Sequence, residues 1–183
     1  MQDNQQIVIS GVGGQGVLFV TRLLAEAAIA KDRPVFTSET HGMAQRGGTV
    51  ISHLKVGEFT SPLINPGKAD GLIALKAECM AQHGGYLKPE GWAAVNSPVP
   101  ETDENAAASC KLDADQVARK IDDPRSVNLI MLGFTLASHQ TGLFCSLDDV
   151  VVVLQERLRT QEQRLQAAIR ALEAGAARAA KDA

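Results

Sequence analysis

"IVISGVGGQGVLFVTRLLAEAA", from Ile7 to Ala28, decides how the chain begins to fold. Ile7–Ser10 is a short β-branched apolar run that ends in glycines, the pattern of a buried strand. From about Gln15 to Ala30 the spacing becomes helical, with Val17, Val20, Leu24, Ala27 and Ala28 on one stripe. "KDRP" breaks that helix, and "VFTS" reads as a second strand. The opening therefore predicts a strand, a glycine turn, a helix and a second strand. Such a unit belongs to a mainly parallel, doubly wound sheet with helices on both faces, a three-layer α/β/α architecture.

The turn itself is "GVGGQG", and Gly11, Gly13 and Gly16 fit the G-x-G-x-x-G spacing, with Gly14 and Gln15 between them. A strand that feeds a glycine turn into a helix N-terminus gathers backbone N–H groups, and the helix dipole adds about half a positive charge. The dinucleotide form of this site needs an acid at the end of the next strand, to bind a ribose. Glu39 stands there by position, which keeps a stand-alone NAD(P)- or FAD-binding oxidoreductase open. A different anion, or a tight turn with no ligand, satisfies the same spacing.

A second glycine loop follows, "ETHGMAQRGG" from Glu39 to Gly48. In a doubly wound sheet a loop at the carboxyl end of the second strand lies beside the first one, where ligands bind. Glu39, His41, Gln45 and Arg46 are set there between Gly42 and the pair Gly47–Gly48. Arg46 can hold a phosphate or carboxylate with two parallel hydrogen bonds, while His41 and Gln45 donate to the same anion and Glu39 fixes Arg46. For any one of these residues a chance charge pair on a surface loop is an adequate account. For the group together it is a weaker one.

Composition limits the alternatives. A chain of 183 residues can bury a full core, so we expect one domain over 1–183. Aromatics are only 4% and the net charge is −3, which supplies neither a base-stacking surface nor a general attraction to nucleic acid or anionic lipid. The start, "MQDNQQIVIS", shows no secretory signal, and no stretch has the ~20 apolar residues of a membrane span. Cys79, Cys110 and Cys145 are odd in number and far apart, as suits reduced thiols in the cytoplasm. They cannot supply a four-cysteine iron–sulfur site, and no metal site is expected in this chain.

Farther along, "TVISHLKVG", "GLIALK" and "GWAAVN" read as strands, with a turn-rich "SPLINPGKAD" after the first. "AECMAQHGG" reads as a short helix stopped by Gly84 and Gly85. The acidic "ETDENAAAS" reads as a surface excursion before a strand near Cys110. Helices are expected over "DADQVARKID" and over the apolar, buried "SVNLIMLGFTLASHQTG". His53 falls in a strand and His83 and His139 in helices, where structural roles are expected. The chain closes on a helix of about 147–175, opened by a Ser146/Asp149 capping box. Val151, Leu158, Leu165 and Leu172 recur every seventh position, with Leu154, Gln161 and Ala168 between. That stripe packs either on the chain's own sheet or on a partner subunit, and the alanine-rich end after Gly175 reads as frayed.

"GVGGQG" followed by "ETHGMAQRGGTV" resembles the small subunit, or γ domain, of the 2-oxoacid:ferredoxin oxidoreductases, most of all their indolepyruvate branch. "HGMAQRGG" and the later "SPLINPGKAD" carry the likeness, which covers roughly residues 7–75 with specific motifs and the rest more loosely. One departure is Lys76, where that branch typically has an acid. The resemblance implies a γ-domain fold and an enzyme that oxidatively decarboxylates an arylpyruvate to an aryl-acetyl-CoA. It implies thiamine diphosphate and 4Fe–4S clusters on a large partner subunit, and ferredoxin as the electron acceptor. A γ subunit acting on pyruvate or another 2-oxoacid is the neighbouring alternative. Gly11, Gly13, Gly14, Gln15, Gly16, His41, Gly42, Gln45, Arg46, Gly47 and Gly48 are then the expected binding residues, facing coenzyme A phosphates or the partner's active site. No residue stands out as an acid–base catalyst.

Overall fold

The computed structural model describes residues 4–41, 48–98, 109–139 and 142–179. The described residues form one sheet from β1 (Gln5–Val12), β2 (Val35–His41), β3 (Thr49–Val56), β4 (Ala69–Ala74), β5 (Leu87–Asn96) and β6 (Ser109–Leu112). Its helices are α1 (Val17–Ile29), α2 (Ala77–His83), α3 (Ala114–Lys120), α4 (Val127–Ser138), α5 (Leu147–Arg157) and α6 (Glu162–Ala179), and a 3-10 turn over Gly84–Tyr86 follows α2.

The strand order is β2-β3-β1-β4-β5-β6. β1, β4, β5 and β6 are parallel neighbours, as the expected α/β class requires. β3 is the exception: it runs antiparallel between β1 and β2, with Gln5 opposite Val56 and Val12 opposite Thr49. The segment between β2 and β3 is too short for a crossover, which needs about a dozen residues or more, so those two strands close as a hairpin. The first crossover therefore skips one position, and β3 returns to fill it.

Alternation along the central strands sends side chains into two cores. Ile7, Ile9, Leu54 and Ile73 pack under α1, α3, α4, α5 and α6. Val8, Ile51, Leu72 and Ala74 point to the opposite face, under Cys79 of α2 and Ile64 of the preceding connection. Burial on both faces is why β1 and β4 read as unbroken apolar runs. Each fully buried Ile or Leu contributes about 1.5–3 kcal/mol. The three layers are unequal, with α2 alone as the helix of the second core.

The C-terminal segment departs from expectation. In place of one helix over about 147–175 there are two, α5 and α6, with a turn at Leu158–Gln161. The Ser146/Asp149 capping box is present, with Ser146 Oγ accepting from Asp149 N and Asp149 Oδ2 accepting from Ser146 N. α5 lies antiparallel to α1, fixed by Lys31–Asp149 at one end and Arg157–Glu26 at the other. α6 turns away to lie along α4. Gln161, the polar break in the heptad stripe, sits in the turn that permits this, and the stripe's apolar members Leu154, Ala168 and Leu172 are buried in the chain's own core. Nor does the chain fray after Gly175: α6 continues to Ala179, and Gly175 is buried.

Candidate functional site

β1 ends at the point where the strand order reverses. From there α1 leaves over one face and α2, which follows β4, over the other. Ligands of open α/β sheets bind in the crevice outside the carboxyl ends of such strands. The glycine loop occupies that crevice.

Within the loop the residues divide by direction. A Cβ on Gly11 would lie 2.8 Å from Val17 Cγ2, so Gly11 faces the core. Gly16 caps α1 in a left-handed conformation, φ 83°, with no side-chain cap. The amide of Asn128, on α4, packs against its bare Cα; a Cβ there would lie 2.2 Å from Asn128 Nδ2. Gln15 turns back on its own loop. Its Oε1 accepts from Val12 N at 2.7 Å and its Nε2 donates to Leu75 O at 3.5 Å, bracing the turn against the end of β4. Gly13 and Gly14 remain at the surface: a Cβ on Gly14 would meet nothing within 4 Å, and one on Gly13 only Gly48 O at 3.8 Å.

The two loops meet. Gly13 N donates to the carbonyl of Gly48 at 3.1 Å, joining the first loop to the end of the second. The antiparallel β3 makes this possible, because the hairpin returns directly beside β1. His41 ends β2 opposite Val50, and its side chain lies outside the described residues, as do Gly42, Gln45, Arg46 and Gly47. Glu39 is in β2, opposite Ser52 of β3. It is thus two strand spacings, about 10 Å, from β1. That is not the place of a ribose-binding acid, which sits on the strand next to the glycine loop.

A cavity of about 490 Å³ opens at the loop, bounded by Val12, Gly13, Gly14, Phe19, Arg22 and Val50. On the other side of Phe19 a hollow of about 370 Å³ runs between the starts of α4 and α6, rimmed by Arg125, Ser126 and Arg164. The pairing of a helix N-terminus, bare backbone and a guanidinium at the rim suits a phosphate or carboxylate. Phe19, Arg22 and Asn128 were not foreseen from sequence. Phe19 carried a signal, being a large apolar residue off the stripe that faces the core.

Among the described residues, the histidines and cysteines near the sheet have structural surroundings. His53 is buried; its Nδ1 accepts from Ile64 N at 3.3 Å and its ring meets Tyr86 edge-on at 5.3 Å. Burial, then the charges of Lys55 and His83, push its pKa down. His139 caps the end of α4 and stacks on Trp92 at 4.5 Å, and burial pushes its pKa down as well. Burial drives the Cys145 thiol up to about 12 and raises Cys79, so neither is a thiolate near neutrality.

The family model described as pyruvate ferredoxin/flavodoxin oxidoreductase matches residues 6–178. The chain belongs to that family. A relative from Archaeoglobus fulgidus, named indolepyruvate oxidoreductase subunit IorB, is 33% identical over 147 residues, which cover 69% of this chain and 73% of the relative. The γ subunit of a keto/oxoacid ferredoxin oxidoreductase from Geobacter sulfurreducens superposes with a TM-score of 0.77 at 23% identity, over 97% of this chain and 99% of that one. The 2-oxoglutarate:ferredoxin oxidoreductase of Magnetococcus marinus, solved with 2-oxoglutarate, coenzyme A and succinyl-CoA, gives 0.79 at 21% identity, over 100% of this chain and 32% of that one. Those two likenesses establish the fold. As a member of the ferredoxin oxidoreductase family, the chain presents Gly13, Gly14 and Gly48 at a joined two-loop edge, with Gln15 as a brace behind it.

Proposed function

We propose that the chain is the small subunit of a cytoplasmic, ferredoxin-dependent oxidoreductase that oxidatively decarboxylates arylpyruvates, indolepyruvate among them, to aryl-acetyl-CoA. Its large partner subunit holds thiamine diphosphate and 4Fe–4S clusters, which supply carbanion stabilisation and one-electron transfer. Among the described residues no three His, Cys, Asp or Glu side chains come together as a metal site, and Cys79 and Cys145 are buried.

The chain's own part is binding and orientation. Gly13 and Gly14 offer bare backbone, the side-chain-free start of α1 offers its dipole, and Arg22 and Arg46 offer charge to the phosphates of coenzyme A. The edge that carries these groups is the surface turned to the large subunit. The observation that carries the reading is the Gly13–Gly48 hydrogen bond, which joins the two loops whose motifs match the indolepyruvate branch. A stand-alone NAD(P) or FAD enzyme fits less well, because Glu39 is a strand too far from the glycine loop.

The test is co-purification with the large subunit, followed by dye reduction that depends on both an arylpyruvate and coenzyme A. Pyruvate and aliphatic 2-oxoacids serve as competing substrates. Arg46→Ala is expected to raise the KM for coenzyme A about tenfold, the loss of one charge-assisted pair. An unchanged KM and turnover would remove coenzyme A from these loops, and micromolar NAD binding by the chain alone would favour the other enzyme class.

A further inference from the structure

α2 is a short helix on the thinly covered face of the sheet, and its last two side chains reach both glycine loops. His83 Nδ1 lies 2.7 Å from Ser10 Oγ, and Ser10 is the fully buried residue of β1 just before Gly11. Gln82 Oε1 accepts from Thr49 Oγ1 at 2.6 Å, and Thr49 directly follows Gly48. Gly13 N to Gly48 O, at 3.1 Å, completes a ring: Ser10, the first loop, Gly48, Thr49, Gln82, His83 and back to Ser10.

We propose that Gln82 and His83 are positioning residues, which hold the two glycine loops at the separation their ligand requires. Gly13, Gly14 and Gly48 have no side chains of their own, and beyond the Gln15 brace their position depends on what grips the ends of β1 and β3. Here one rigid helical turn grips both. His83 Nδ1 and the Ser10 hydroxyl share this hydrogen bond, and burial lowers the imidazole's pKa, which favours the neutral ring. Neither Gln82 nor His83 borders the cavity beside Gly13 and Gly14. Their effect would pass through the backbone they hold.

The inference rests on the proposed coenzyme A site, so the test has one arm that depends on it and one that does not. In the assembled enzyme, His83→Phe keeps the ring and loses Nδ1, and Gln82→Leu loses the acceptor for Thr49. His83→Phe is expected to raise the KM for coenzyme A about tenfold, the loss of one partly buried hydrogen bond, and Gln82→Leu, whose bond to Thr49 is exposed, about two- to threefold, with the KM for arylpyruvate unchanged in both. His83→Asn and Gln82→Glu restore an acceptor and should recover most of it. The double variant should fall short of the product of the singles, because both open one ring. In the full chain, hydrogen exchange should show the amides of Gly13–Val17 and Gly48–Val50 speeding up together in His83→Phe. Exchange confined to α2, or a KM change that Asn does not rescue, would overturn the proposal and leave His83 a packing residue. Concerted exchange with no coenzyme A effect in any variant would instead overturn the coenzyme A assignment and keep the ring.

Discussion

Glycine does opposite work in two regions of this molecule. At the rim of the sheet, Gly13 and Gly14 face space, where a Cβ would meet nothing closer than 3.8 Å. Where α4 crosses α6, a Cβ on Gly133 would lie 2.0 Å from Leu172 O, and one on Gly175 only 1.9 Å from Ile130 O. The missing side chain at the rim leaves backbone bare for a ligand. At the crossing it lets two helix backbones touch. One region should therefore be sensitive in binding and indifferent in stability, and the other the reverse.

The crossing offers the hardest test. Gly175→Ala pushes a methyl group into a backbone carbonyl that cannot rotate away, and should cost about 3 kcal/mol by forcing the helices apart. The urea midpoint of the full chain reads this directly. Coenzyme A affinity of the surviving folded enzyme should be unchanged. A stable Gly175→Ala variant would end the contrast.

Gly13→Ala tests the other half. Its backbone is not in the left-handed region and its Cβ makes only an ordinary contact, so stability should move by less than about 0.5 kcal/mol. The methyl group fills space at the exposed backbone that borders the cavity, so affinity for coenzyme A should fall about tenfold, equivalent to about 1.4 kcal/mol. Equal loss in stability and binding would mean that the rim is merely a structural turn.

The two regions also differ in how far sequence reveals them. "GVGGQG" is legible as a turn because a glycine turn between strand and helix is dictated by nearby residues. The crossing is not. Around Gly175 the sequence reads as the start of a frayed end, since nothing near it tells that Ile130 lies against it. The direction of β3 was hidden for a related reason: alternation marks a strand but not its polarity, and only the brevity of the second loop encodes the reversal. The C-terminal stripe kept its seven-residue phase through a turn, so periodicity alone joined α5 to α6. The contact of Asn128 with Gly16 joins positions far apart in sequence and is visible only in three dimensions.

Away from the rim, a buried polar atom left unpaired should be a pure liability, and His139 tests that. Its Nε2 is buried with no partner among the described residues, and its ring stacks on Trp92. Because burial lowers its folded pKa below the ordinary 6.5, the unfolded state takes up the proton first. The stability tied to the neutral ring is complete above about pH 6.5 and is lost as pH falls toward the lowered value. His139→Phe keeps the stack and removes both effects. It should raise stability by about 1 kcal/mol near pH 5.5 and by less at pH 8, with coenzyme A binding untouched. A change in coenzyme A binding would extend the functional region to the far end of α4.

The smallest effect lies on α1, which runs from the rim to a contact with the start of α5. Its N-terminus opens at the glycine loop, while beyond its C-terminus Lys31 Nζ meets Asp149 Oδ2 at 2.6 Å. Burial pushes the Asp149 pKa up, but the hydrogen bonds from Lys31, the Ser146 backbone and the Ser146 hydroxyl outweigh it and hold the carboxyl below its ordinary 3.8. A depressed carboxylate contributes stability that is fully present above the unfolded value and lost as pH falls through the folded one. Acid unfolding should therefore gain a small component below about pH 4 that Asp149→Asn removes. The pair is partly exposed, with side chains 36% and 28% accessible, so the variant should lose less than about 1 kcal/mol at pH 7, and less again in high salt. Hydrogen exchange should locate that loss at the end of α1 and the start of α5 and leave Gly13–Val17 unaffected. If the glycine loop loosened as well, α1 would be transmitting strain along its length, and the rim would not be independent of the packing of α5.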